Sequence, residues 1–300
     1  MDEFKSYQPD IAVHITNKLY KGVEKLQYNE EKHKYFLDNI ELTSVTKIVS
    51  NLKDNDFEAV KISNITAKKH NETYDILNTE YALSNQYFLD RWKYNSEYRM
   101  ALGTYVHLFT QSFPFFTKYE LKEEEMVVDY FKNIPSKYIH VCSEFKMYNT
   151  EFKFAGTTDM LLYDVEDNSF IICDWKTNSK LDEKNSGYCK IPFSFYKNSK
   201  VNGYNIQLIY YKYAFEQMFK NTECYIPLSL LKDYNIDYAY VIEDNKTGIS
   251  YYKVRFKISD LQLIWLSNLN PTYKIIELDN IDLKSVYNND VKITKSKNKK

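Results

Sequence analysis

Between Pro135 and Lys176 the hydrophobic pattern alternates residue by residue, and no other feature of the chain narrows its possible folds so far. Three runs carry it: YIHVCSEFKM from Tyr138 to Met147, FKFAGTTDMLLY from Phe152 to Tyr163, and FIICDW from Phe170 to Trp175. Each is rich in β-branched and aromatic residues, and the polar VEDNS, Val165 to Ser169, separates the last two as a turn. The pattern predicts an antiparallel meander. Upstream, from about Asp56 to Phe131, apolar residues recur at helical spacing with almost no Gly or Pro, which predicts a helical half. Before that, KYFLDNIELTSVTKIVS, Lys34 to Ser50, alternates about an Asp38-Asn39 turn and then offers Ser44 as a helix cap.

Downstream, residues 180 to 200 read as a polar loop with aromatics. GYNIQLIYYKYAFEQMF, Gly203 to Phe219, reads as an amphipathic helix. Two strands near Asp237 to Ile242 and Ser250 to Phe256 are expected to extend the sheet, and a short helix is expected near Ser259 to Leu266. The lysine-rich end, DVKITKSKNKK, is expected to be mobile. The fold class is α/β: a central mixed sheet with an antiparallel meander, flanked by helices, plus an N-terminal helical region. The expected organisation is one integrated domain, with a hairpin and helical region over 1–133, a core over 134–270 and a tail over 271–300.

Composition removes several classes. Tyr 29, Phe 18 and Trp 3 against Gly 6 and Pro 6 exclude a disordered or collagen-like chain. A formal net charge of -1 supplies no bulk positive field, so any site for a polyanion must be local. Cys142, Cys173, Cys189 and Cys224 include no C-x-x-C pair and read as buried thiols. The opening MDEFKSYQPD has no signal-peptide core and no long apolar run follows, so a soluble intracellular protein is expected, with no membrane partner.

The midpoint between Asp159 and Asp174 falls inside the VEDNS turn, so a hairpin there sets the two carboxylates opposite each other, within a register step. Cross-strand neighbours stand about 4.5–5.5 Å apart at Cβ. Acids so placed repel, and a divalent cation between them relieves the repulsion. Lys176, two residues past Asp174, shares its face of the strand. Carboxylates holding a hard cation beside an ammonium group suit metal-assisted phosphodiester hydrolysis. Gly103 and His107 share one helical face at a spacing of four, as do Gln207 and Tyr211.

Taken in order, GTYVH, GTTD, DWK and QLIYY resemble the signature of the PD-(D/E)XK nuclease superfamily, in its RecB-type exonuclease branch, and the likeness spans roughly Lys34 to Phe219. The hairpin before them is similar to that of the phage and mitochondrial genome maintenance members. The resemblance implies a restriction-endonuclease-like core with His107, Asp159 and Asp174 as ligands of Mg²⁺ or Mn²⁺ and the Trp175 carbonyl as a further ligand. It implies Lys176 as the catalytic lysine, Gln207 holding Lys176 or the scissile phosphate, and Tyr211 packing beneath the DNA or touching its backbone. Glu144 stands either as a ligand through water or at a second ion, or as a plain surface carboxylate. The cluster-binding cysteines of some members are missing, so no iron-sulfur cluster is expected, and no helicase motif is attached.

The implied activity is a metal-dependent DNA exonuclease serving recombination, replication or repair, in the cytoplasm of a bacterium or a phage-infected host. A recombinase, a single-strand-binding protein or a helicase would be its protein partner. Alternatives from the same residues are a DNA-end-binding module without turnover and a structure-specific endonuclease. Aromatics beside lysines in the helical half (Tyr81, Tyr87, Phe88, Trp92, Tyr94, Tyr98) and in the 185–200 loop (Tyr188, Phe193, Phe195, Tyr196) suggest stacking on unpaired bases, hence single-stranded DNA with a free end.

Overall fold

Pro9 opens the first helix, α1 (Pro9–Val23), at a position where its missing N–H leaves no bond unmade. Ile11, Ile15 and Leu19 line the buried face of α1, which matches no element expected above. A three-stranded ribbon follows, β1 (Leu26–Asn29), β2 (Lys34–Leu37) and β3 (Ile40–Ser44). Asp38 and Asn39 turn β2 into β3 with left-handed backbone angles, and Leu37 pairs with Ile40 across them. Ser44 then caps α2 (Val45–Leu52), its hydroxyl accepting from the Lys47 N–H. The helical half is α3 (Ala59–Thr73), α4 (Asn85–Gln111) and α5 (Lys122–Asn133). The structure, a computed structural model, describes residues 4–32, 34–53, 58–116, 118–181 and 187–291.

The alternating segments form β4 (Tyr138–Asn149), β5 (Phe154–Asp164) and β6 (Ser169–Lys176), an antiparallel meander. The chain continues through α6 (Lys200–Met218), β7 (Tyr225–Pro227), β8 (Val241–Glu243), β9 (Ser250–Lys253), β10 (Ile258–Trp265), β11 (Lys274–Glu277) and α7 (Leu283–Tyr287). Eight strands make one mixed sheet in the order β1-β2-β3-β5-β6-β10-β11, with β4 along the other edge of β5. Pairing is parallel at β3–β5 and β6–β10 and antiparallel elsewhere in it.

Two cores sandwich this sheet. Leu161, Tyr163 and Ile172 point to a layer holding α1, α2 and α6, while Met160, Leu162, Cys173 and Trp175 point to a layer holding α4 and α5. Helices on both faces account for the nearly unbroken burial of β5 and β6.

Several expectations need correction. Residues 258–265 are a strand, not a helix, and that strand extends the main sheet beside β6. The strands near 241–243 and 250–253 instead join β7 in a separate sheet ordered β7-β9-β8. Helix α6 is not amphipathic: Ile206, Leu208, Ile209, Tyr210, Tyr211 and Tyr213 are all buried, so the core surrounds it. Residues 274–287 are not a tail, since β11 pairs with β10 and Leu283 and Val286 of α7 enter the core. The last lysines, residues 292–300, lie outside the described residues. All four cysteines are buried free thiols. No helix among the described residues is long and apolar enough to cross a membrane.

Candidate metal centre

The edges of β5 determine where the site forms. One edge pairs with β4 along its whole length; the other meets β3 only at Phe154 and Ala155, then β6 from Met160 onward. Gly156 to Asp159 therefore face a split between β3 and β6. Asp159 spans the split, accepting from the Trp175 N–H at 2.7 Å through Oδ2. One register step past the Met160–Cys173 pair, it stands across from Asp174. On the other side, Ser143 pairs with Met160 and Phe145 with Thr158, which sets Glu144 across from Asp159. Three carboxylates, Glu144, Asp159 and Asp174, thus form one row across β4, β5 and β6.

Glu144 owes its place to an irregularity. Register shifts between His140 and Cys142, and Glu144 takes φ 51, a left-handed angle rare outside Gly and Asn. Strain of this sort persists where surrounding structure imposes it, and it clusters at functional sites.

His107 comes from α4, on the other layer, where Leu102 and Val106 anchor the helix in the core. Its Nδ1 lies 3.2 Å from Glu144 Oε1 and 3.5 Å from Asp159 Oδ1. One donor atom from each of His107, Glu144 and Asp159 falls within 4.8 Å of the others. Asp174, only 1% exposed, is ion-paired to Lys176, whose Nζ also lies 4.7 Å from the centre of the Tyr204 ring.

Burial, then the like charge of Asp174, raises the Asp159 carboxyl to about 7 against the pull of His107 and Lys176. Burial opposes charge on His107, but Asp159 and Glu144 outweigh it and lift the imidazole to about 9. Lys176 is likewise raised: burial is outweighed by Asp174 and Asp159. The site is acid-rich and compensates with its own cations.

The donor chemistry suits a hard divalent ion. Two or three carboxylates and one imidazole fit Mg²⁺ or Mn²⁺, whereas no thiol lies in the set. His107, Glu144 and Asp159 could hold such an ion as they stand, and Asp174 joins the row from the adjacent strand. Glu144 is thus inside the cluster rather than a remote surface group. The Trp175 N–H ties that residue to the acid row, and its indole is buried near Tyr130 and Phe131.

Other expectations shift. Tyr211 is 2% exposed, with its ring against Gly156, so it supports β5 from within and is not placed to touch DNA. Gln207 donates to the Tyr211 hydroxyl at 3.0 Å rather than reaching Lys176. Phe193 and Tyr196 belong to the core, Tyr196 bonding Asp279 and Asn205, so neither is a stacking platform. Phe88 is buried too. Tyr188 is 60% exposed, and Trp92 is half-buried. Tyr204 beside Lys176 was not foreseen, although it lies within the same GYNIQ stretch as Gln207.

No model of a known protein family matches the chain, and no curated protein matches it.

Proposed function

We propose that the chain is a divalent-metal-dependent deoxyribonuclease of the PD-(D/E)XK type, working on single-stranded DNA from a free end. The observation that carries this reading is the row of Glu144, Asp159 and Asp174, with His107 at one side and Lys176 at the other. The order GTYVH, GTTD, DWK and QLIYY supports it, because its first three motifs supply His107, Asp159, Asp174 and Lys176, all at this one locus.

In this reading Glu144, Asp159, Asp174 and His107 hold Mg²⁺ or Mn²⁺, which when bound neutralises phosphoryl charge and acidifies water. Asp159 is fixed by the Trp175 N–H, so its remaining oxygen keeps one direction. Lys176, steadied by Asp174 and the Tyr204 ring, directs its N–H donors at the attacking water and at charge developing on the phosphate. Tyr211, with Gln207 on its hydroxyl, keeps β5 in place behind the acids.

The test is incubation with end-labelled linear and closed circular DNA, single- and double-stranded, in Mg²⁺, Mn²⁺ or EDTA. Linear single strands should be shortened from an end with either metal and not in EDTA. Asp174→Asn and Lys176→Ala should each slow this by at least about 100-fold while keeping the wild-type circular dichroism spectrum. Rapid cutting of circles would make it an endonuclease instead. Wild-type rates in either variant would remove the site assignment, and no cleavage under any condition would leave only a binding role.

A further inference from the structure

Arginine is scarce in this chain, three residues within a Lys+Arg total of 40, so the position of each is informative. Arg255 is committed to structure: it donates to the Tyr240 hydroxyl and lies 5.2 Å from the centre of that ring. Arg99 is different. It lies on α4 two turns before His107, and Trp92, Ser96, Arg99, Gly103 and His107 follow one another at spacings of four, three, four and four along one face of that helix. This stripe runs for about 22 Å.

Its guanidinium reaches the backbone of the residue after Lys176: Nη1 donates to the Thr177 carbonyl at 3.4 Å, a long bond. A loose contact with the Tyr98 ring, 5.7 Å from the centroid, is its other partner among the described residues. Most of its five N–H donors stay unspent among those residues. Gly103, between Arg99 and His107, presents no side chain, and a Cβ there would meet only Thr177 Oγ1 at 3.6 Å. The face of α4 beside the acid row is therefore low at its centre, cationic next to it and aromatic at its far end.

We propose that Arg99 grips a backbone phosphate of a single nucleic-acid strand lying along this face, from the acid row toward Trp92, a proposal that rests on the nuclease reading above. A planar guanidinium holds a phosphate through two parallel N–H bonds, which an ammonium cannot do. The Trp92 indole offers an unpaired base a surface on which to stack. Arg99 is a substrate-binding residue in this scheme; it takes no part in the bond change.

Binding of a labelled single-stranded oligonucleotide, followed by fluorescence anisotropy over a salt series with Ca²⁺ in place of Mg²⁺, tests this without turnover. Arg99→Ala should bind roughly tenfold more weakly. Its log–log salt slope should be shallower by about 0.7, the loss of one phosphate contact on a single strand. Arg99→Lys should keep the wild-type slope while losing part of the affinity, and Trp92→Ala should weaken binding with the slope unchanged. Wild-type affinity and slope in Arg99→Ala would overturn the proposal, as would equal slope loss in Arg99→Lys or no binding by the wild-type chain. The two readings fail separately: a chain that cleaves DNA but is indifferent to Arg99 loses only this one, and a chain that binds through Arg99 but never hydrolyses with Mg²⁺ or Mn²⁺ loses only the nuclease assignment.

Discussion

Gly156 shows how closely the acid row is backed. A Cβ on it would run into the Tyr211 ring, and Tyr211 is too buried to move aside. Gly156→Ala should cost about 1–3 kcal/mol by overpacking, seen as a lower urea midpoint at unchanged m-value. In a Tyr211→Ala background the same change should cost almost nothing, and equal costs in both backgrounds would mean the ring lies elsewhere. At this scale the sequence was partly legible. Turn-centred arithmetic paired Asp159 with Asp174 because a hairpin register is fixed by its turn. The same arithmetic could not place Glu144, since the irregularity in β4 near Val141 shifts the register by one residue and leaves no mark in composition. Nor could it show Tyr211 turned inward, because the QLIYY spacing fixes a helical face and not which layer that face meets.

Among elements, α4 does the most: 27 residues, about 40 Å, carry His107 to the acids and extend well beyond the core. Gly103 weakens it, since Gly in a helix interior costs roughly 0.5–1 kcal/mol relative to Ala. With only ordinary van der Waals contact awaiting a methyl group there, Gly103→Ala should raise the thermal midpoint in the absence of metal. A lower midpoint would show that the helix packs more tightly on Thr177 than 3.6 Å implies. The misread element is β10. ISDLQLIW places Ile258, Leu261 and Ile264 three apart, which imitates a helix, and a strand buried on both faces need not alternate. Conversely, Pro9 with Ile11, Ile15 and Leu19 is an ordinary helix signature, and α1 was readable there.

For the molecule as a whole, acid stability should report on His140. Burial pushes its imidazole from 6.5 down to about 4, and it sits edge-on to Phe113 and Phe131. The folded form thus keeps this ring neutral where the unfolded chain already binds a proton. Its stabilising contribution is complete above pH 6.5 and is lost as pH falls toward about 4. Urea midpoints over that window should drop more steeply for the wild type than for His140→Phe, and parallel curves would contradict the assignment. The sandwich of a mixed sheet between two helical layers was legible as a class, because period-2 and helical segments alternate along the chain. The second small sheet was not, since three-residue strands carry too little pattern to say which sheet they join.

The proposed hydrolysis requires acids from three adjacent strands and an imidazole from α4 to form a binding site for one kind of ion. This is checked by titrating the purified chain with Mn²⁺ and following loss of the free-ion paramagnetic resonance signal. Saturable binding is predicted for the wild type and for Asp167→Asn, which alters an exposed acid on the β5–β6 turn, with affinity lost in Asp159→Asn and Asp174→Asn. No saturable binding by the wild type, or the same binding in all four proteins, would contradict it.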